Sequence, residues 1–254
     1  MKKIILFVSA FALLLTACSS DDSEPAPATP SGTLLTKIIE TYTDGTVEIV
    51  DFQYNGDKIA TIVSDFGDKS VFTYTGDLIT KEEYFVDDII EETIIYDYDA
   101  NQRLIKSTLT TGSTIEIDDF TYNSNNTVTF ITTSAGNTIA IGTIYFNGDQ
   151  PYKKELTENP GTTSEYSSVE ETTFDSKVNP FVNVKGLDKI EIATPSYSLG
   201  YGGIFNNSLE LKRDGNIIES YAYTYNANNM PATEVYDASQ VSPNYDSTSQ
   251  YIYN

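Results

Sequence analysis

Histidine and tryptophan are absent from this 254-residue chain, and cysteine occurs once, at Cys18. Without histidine, a Ser–His–Asp or Cys–His catalytic centre and a histidine-ligated metal site are excluded. A single cysteine provides neither an intrachain disulfide nor a zinc cluster. We therefore predict a protein without catalytic residues of these kinds, without a resident cofactor, and not an enzyme.

Basic residues are also scarce, with 15 Lys and Arg against 37 Asp and Glu, which gives a formal charge of −22. Binding to a phosphate backbone depends on Lys and Arg that release counterions, and adhesion to anionic lipid depends on the same residues. Nucleic acid is therefore excluded as a partner. Cations and cationic surfaces remain compatible with the charge.

The first apolar run is too short to cross a bilayer. Lys2 and Lys3 precede IILFVSAFALLL, about a dozen apolar residues where a spanning helix needs ~20. This pattern is typical of a secretory signal. The run ends in LTAC, which resembles the lipobox of bacterial lipoproteins. The resemblance implies cleavage of a signal peptide, residues 1–17, and lipidation of Cys18.

The segment SSDDSEPAPATPSG that follows is acidic and rich in proline. This composition predicts a disordered tether over residues 18–32. The acidic cluster behind the cysteine resembles the export signal of Bacteroidetes lipoproteins, which implies an outer-membrane protein exposed on the cell surface. A periplasm-facing anchor is the alternative. Residues 33–254 suffice for one domain, and loss of Lys2 and Lys3 with the signal changes the formal charge to −24.

A phrase of two aromatics, a polar turn and an apolar residue recurs along this domain. The second aromatic of each phrase is Tyr54, Tyr74, Tyr98, Tyr122 or Phe146. These positions are 20, 24, 24 and 24 residues apart, which indicates a repeat architecture. A second turn signal follows within each period: Gly67, Asp87-Asp88, Gly112, Gly136 and Gly161. We predict an all-β fold, an antiparallel β-meander of repeated hairpins in a single curled sheet of roughly fourteen strands, barrel-like or sandwich-like.

The two aromatics of each phrase lie two residues apart and so share one face of a strand. Phe52 with Tyr54 and Phe72 with Tyr74 are examples. We expect them to stack into an aromatic ladder in the core, with each tyrosine hydroxyl near the turn. A sugar-stacking platform is the alternative interpretation.

The piece YDYDANQRLIK, residues 96–106, resembles the YD repeat of bacterial Rhs-type proteins, although most copies here lack an arginine at the place of Arg103. Lipobox, acidic tether, YxYN-type hairpins and the late segment FDSKVNPFVNVKGL together resemble surface lipoproteins of the Bacteroidetes. That resemblance implies no activity.

The repeat breaks between residues 175 and 207, where Pro180 and Pro195 interrupt strand pairing. We predict that VNPFVNVKGL forms a short helical or looped plug over one opening of the sheet. Loops on rigid scaffolds often carry binding function, so the aromatics that follow are the candidate ligand-binding residues: Tyr197, Tyr201 and Phe205. A connection that packs these aromatics into the core is the alternative.

Acidic pairs such as Glu82-Glu83 and Asp118-Asp119 are frequent. Neighbours on a strand face opposite sides, so such a pair does not place two carboxylates in one cleft. We interpret the acids as solvating the outer face and blocking edge aggregation. Asn-Gly-Asp turns supply oxygen ligands for calcium, but a hairpin turn explains them equally.

Together these features predict a lipid-anchored cell-surface protein that acts as a non-catalytic binding or scaffold module and captures glycan or protein. A structural or assembly component of an outer-membrane complex is the alternative. A carboxylate-only glycoside hydrolase is a third hypothesis.

Overall fold

The computed structural model describes residues 32–193, 205–238 and 246–254. Within them, sixteen strands form one antiparallel sheet in which each strand pairs with the next, and the last pairs with the first. The sheet is therefore a closed barrel. The predicted all-β meander in one curled sheet is confirmed, as a barrel and with sixteen strands where roughly fourteen were expected.

The strands, numbered in chain order, are β1 Leu35–Tyr42, β2 Val47–Asn55, β3 Lys58–Ser64, β4 Asp68–Thr75, β5 Leu78–Val86, β6 Ile89–Tyr98, β7 Leu104–Thr111, β8 Thr114–Tyr122, β9 Thr127–Ser134, β10 Asn137–Asn147, β11 Gln150–Glu158, β12 Tyr166–Phe174, β13 Ser208–Arg213, β14 Asn216–Tyr225, β15 Pro231–Asp237 and β16 Ser247–Tyr253. One short helix, α1, spans Leu187–Ile190.

The predicted turns join these strands as hairpins. Gly56, Gly76, Gly112 and Gly136 have positive φ, the conformation that tight hairpin turns require and glycine adopts without strain. Asp87 and Asp88 adopt it in the β5–β6 turn.

The aromatic ladder lies inside the barrel, as predicted. The first position of each phrase is buried: Phe52, Phe72, Tyr96, Phe120 and Ile144. The second position packs against the same core at the strand end: Tyr54, Tyr74, Tyr98, Tyr122 and Phe146. Tyrosine hydroxyls there donate to backbone carbonyls, as from Tyr98 to Ile79 at 2.6 Å. The phrase therefore recurs because each hairpin packs like the one before it.

Residues 175–193 form a plug that fills one opening of the barrel. This opening lies beside the turns that follow the aromatic phrases, and we call it the plug end. Phe181, Val184, Leu187 and Ile190 are buried in the core. The backbone also holds the segment in place, because the Lys185 amide donates to the Asp57 carbonyl at 2.9 Å. The predicted plug is confirmed. The opposite end, which carries the other set of hairpins, is called the far end.

The outer face of the barrel is polar. Ion pairs lie around it, with these N–O distances: Lys37–Asp51 at 2.6 Å, Lys81–Glu83 at 2.8 Å, Lys106–Asp119 at 3.4 Å and Lys212–Glu210 at 2.9 Å. Apolar side chains are interspersed with these charges and with many threonines on the alternate face of each strand.

The interpretation that the acids solvate the outer face was wrong for two of them, Glu82 and Asp118. Glu82 and Asp118 are buried, with 2% and 6% of their surface exposed. Their neighbours Glu83 and Asp119 join the outer ion pairs. The strand alternation that separates the two acids necessarily directs one of them inward.

Candidate functional site

Most inward-facing acids are bound by hydroxyl groups of neighbouring strands. Tyr96 donates to Glu82 at 3.1 Å, and Ser107 and Thr132 donate to Asp118 at 2.9 and 2.6 Å. The same arrangement recurs towards the far end, where hydroxyls of Ser247 and Tyr251 donate to Glu40 and Glu234. Burial raises the pKa of both Glu40 and Glu234. These contacts satisfy buried polar groups.

The wall formed by β10 to β13 borders two cavities, and its β10–β11 hairpin contains a β-bulge of the kind that recurs in the other aromatic hairpins. Tyr145 pairs with Lys153 and Phe146 pairs with Pro151, so Tyr152 is the extra residue of a β-bulge. Bulges redirect a side chain and bend the strand. Tyr152 is consequently 39% exposed and borders two adjoining cavities.

The first, which we call the mouth cavity, lies at the plug end and has a volume of about 560 Å³. Aromatic rings and amide groups line it together: Phe146, Asn147, Gln150, Tyr152, Phe174 and Asn206. Rings that present a face beside a few polar groups are the usual composition of a small-molecule site.

Asp175 fixes one side of the mouth cavity. Its carboxylate accepts hydrogen bonds from the Tyr225 hydroxyl at 2.5 Å and from the Asn207 side chain at 2.9 Å. The backbone amides of Lys177 and Asn207 also donate to it. Burial acts to raise the pKa of Asp175, but these hydrogen bonds outweigh it and hold the pKa below its ordinary value.

The second, which we call the inner cavity, lies behind the mouth and has a volume of about 250 Å³. Phe130, Ile144, Phe174 and Leu211 provide apolar walls. Phe130 lies so close over Gly142 that a Cβ there would be 2.4 Å from its ring, and only glycine fits beneath it.

One wall of the inner cavity carries an ion-pair cluster that joins three strands. Glu170 Oε2 lies 2.8 Å from Lys154 Nζ, and Glu170 Oε1 lies 2.9 Å from Arg213 Nη2. Burial acts to raise the pKa of Glu170, but the two cations hold it below its ordinary value. Both carboxylate oxygens of Glu170 are therefore engaged, one by each cation.

Two further polar groups of the inner cavity have no such match. The Ser208 hydroxyl is buried and has no hydrogen-bond partner among the described residues. Glu191, at the end of the plug, lines the same cavity, and burial alone raises its pKa to about 8. A carboxyl group with this pKa is mostly protonated at pH 7.

The sequence-predicted site residues fall in different places. Cys18, Tyr197 and Tyr201 lie outside the described residues, so lipidation and ligand binding by them remain predictions. Phe205 is partly buried against the core, and its amide donates to Gln150 Oε1 at 3.3 Å. Phe205 thus helps to position Gln150, which lines the mouth cavity.

Sequence reasoning missed Tyr152, Glu191 and the ion-pair cluster. The one available signal was Pro151 directly before Tyr152, because proline within a strand often marks a bulge. The convergence of Lys154, Glu170 and Arg213 depends on strand register, which the sequence pattern does not give.

Within the described ranges, no three His, Cys, Asp or Glu side chains are grouped closely enough to hold a metal ion. The calcium alternative remains a sequence-based hypothesis. In the same ranges, no helix is both long and apolar enough to cross a membrane.

Comparison with known proteins gives a structural likeness only. No family model matches the chain, and no curated protein matches it. A porin-like protein from Bacteroides uniformis has a similar crystal structure, with a TM-score of 0.51 and 12% sequence identity over 90% of this chain and 99% of that one. The two chains therefore share a β-barrel fold.

Proposed function

We propose that this protein is a lipid-anchored outer-membrane protein, exposed on the cell surface, whose barrel lies outside the bilayer and captures glycan without catalysis. The observation that carries the binding role is the mouth cavity, where the β-bulge presents Tyr152 beside Phe146, Phe174 and a set of amide groups.

The polarity of the outer face supports a barrel outside the lipid. A membrane-spanning barrel needs an outward apolar band, and one Lys or Arg at the bilayer midplane costs about 2–4 kcal/mol. Lys37, Lys81, Lys106 and Lys212 all face outward with acidic partners. Attachment through a lipid on Cys18 would hold such a barrel at a membrane without inserting it.

The direction of the chain agrees with this arrangement. Thr33 lies at the plug end, where its carbonyl accepts a hydrogen bond from Asn183 at 2.9 Å. The predicted tether would thus join the barrel at the plug end.

The two ion pairs of Glu170 favour a binding function over a glycoside hydrolase. A retaining glycosidase needs one free carboxylate as nucleophile and a second as acid. Glu191, with its raised pKa, resembles the acid. Both oxygens of Glu170, however, are held by Lys154 and Arg213, which leaves no free nucleophile in this pair.

Native affinity electrophoresis against a panel of polysaccharides, with and without calcium, tests the binding role. We expect one glycan to retard the protein, and Tyr152→Ala to weaken that retardation by about tenfold, equivalent to ~1.4 kcal/mol. Tyr166→Ala is the matched control, since Tyr166 is 50% exposed and lies at the far end. No retardation by any glycan would reject the proposal.

A scaffold or assembly role is the second candidate, favoured by an apolar patch at the far end. Phe66, Ile89 and Ile90 are 52%, 63% and 53% exposed. They lie on two hairpins joined by a hydrogen bond from the Asp87 amide to the Gly67 carbonyl at 3.1 Å. This role predicts co-purification with a membrane partner that Ile89→Asp abolishes, whereas isolation of the wild-type protein alone would oppose it.

A further inference from the structure

We propose that the inner cavity binds a small molecule that carries one ammonium group on a compact apolar body, with Glu191 as the counter-ion and Ser208 as a hydrogen-bond partner. This inference goes beyond glycan capture. The glycan assay and the amine assay are separate measurements, so either proposal can fail alone.

The first argument is the presence of polar groups without protein partners at the inner cavity. A buried polar group without a hydrogen bond costs about 1–3 kcal/mol, and such groups are rare in folded proteins. Ser208 is only 2% exposed and its hydroxyl has no partner within the described residues. Glu191, which is partly exposed, lines the same space and has no hydrogen bond or ion pair in those ranges. Two unmatched polar groups therefore face one cavity.

The second argument is the sign of the charge that the cavity accepts. Lys154 and Arg213 each already pair with Glu170, at 2.8 and 2.9 Å. Among the acidic and basic side chains of the described lining, Glu191 is the one without an ion pair. An ammonium group beside it would restore the charged carboxylate, because an opposite charge within a few ångströms favours ionisation.

The third argument is the size and composition of the space. A volume of about 250 Å³ equals that of roughly eight waters in the liquid. Phe130, Ile144 and Leu211 form its apolar walls, and Phe174 and Tyr152 separate it from the mouth. Aromatic faces attract cations as well as apolar groups. A ligand with one cationic end and a small hydrophobic body fits these walls better than a sugar does.

Isothermal titration calorimetry of the full chain in detergent tests the proposal with benzylamine, benzyl alcohol and benzoate as probes. They share a ring and differ in the polar group. We expect benzylamine to bind at least about tenfold more tightly than benzyl alcohol, and benzoate not to bind. Equal binding of amine and alcohol, no binding of the amine at millimolar concentration, or tighter binding of benzoate would each overturn the proposal.

The site is assigned with Glu191→Gln, which keeps the shape of the side chain and removes its charge. We expect this variant to lose benzylamine binding by about tenfold or more. Glu171→Gln is the matched control, because Glu171 is exposed on the outer face of β12. Unchanged amine affinity in Glu191→Gln would overturn the assignment.

Proton release gives a readout that requires no variant. Since burial raises the pKa of Glu191 to about 8, the amine should bind more tightly as pH rises from about 6.5 to 8.5. Below pH 8, binding should release a proton, visible as a heat that depends on the ionisation enthalpy of the buffer. Heats that are the same in all buffers below pH 8 would contradict Glu191 as the counter-ion.

Discussion

The repeat tyrosines differ in what their hydroxyl groups contact, and this difference is measurable. Tyr98 donates to the Ile79 carbonyl at 2.6 Å, whereas the Tyr54 hydroxyl is buried without a partner among the described residues. We expect Tyr98→Phe to lower the free energy of unfolding by about 1 kcal/mol. Tyr54→Phe should leave it unchanged or raise it, because no hydrogen bond is lost. Urea denaturation measures both, and equal losses would contradict this description of the ladder.

Glu191 should make the stability of the barrel depend on pH in the direction opposite to most acids. Its pKa rises from 4.5 to about 8 on burial, so the folded state binds more protons than the unfolded state between these values. The free energy of unfolding should therefore fall as pH rises from about 4.5 to 8.

Glu191→Gln removes this contribution, and its stability should decline less over the same pH range. Glu171→Gln should retain the wild-type decline. Denaturation series at several pH values compare the three proteins, and parallel curves for wild type and Glu191→Gln would show that the carboxyl group is not buried in solution.

At the scale of elements, the plug should contribute to the stability of the whole barrel. Leu187 is fully buried, and truncation of a buried leucine to alanine costs about 2–5 kcal/mol. Leu187→Ala should lower the melting temperature accordingly. Val182→Ala, in the same segment but 38% exposed, should change the free energy of unfolding by less than ~0.5 kcal/mol. Equal small effects would show that the plug is only loosely attached.

The elements themselves were largely predictable from sequence. Hairpin turns depend on local chemistry at Gly67, Gly112 and Asp87-Asp88, and the plug follows from the loss of repeat and from Pro180. The mouth and inner cavities were not predictable, because they depend on which residues of distant strands face each other. Arg213 meets Glu170 across 43 residues of sequence, and no local pattern specifies that register.

For the whole molecule, the sequence did not predict whether the sheet closes into a barrel. Closure depends on one long-range pairing of strands. Leu35 pairs with Tyr253, and their separation along the chain exceeds that of any hairpin. The alternation of apolar and polar residues predicts one buried face, and a sandwich and a barrel satisfy this equally. The pairing of β1 with β16 decides between them.

The charge distribution of the whole barrel bears on whether its wall lies in lipid or in water. The core is apolar at the plug end, and hydroxyl-bound acids line the interior beyond it. The outer face carries the ion pairs that begin with Lys37–Asp51. An outer-membrane barrel has its apolar band on the outside, so this arrangement supports the proposal that water surrounds the wall and that a lipid holds the barrel at the membrane.

The most direct test of this account replaces residues 1–18 with a cleavable secretion signal that lacks cysteine, and follows the protein by cell fractionation and size-exclusion chromatography without detergent. The account predicts a folded, monodisperse barrel in the aqueous fraction, while the unaltered chain remains with the membrane. A barrel that stays in the membrane without Cys18, and dissolves only in detergent, would contradict it.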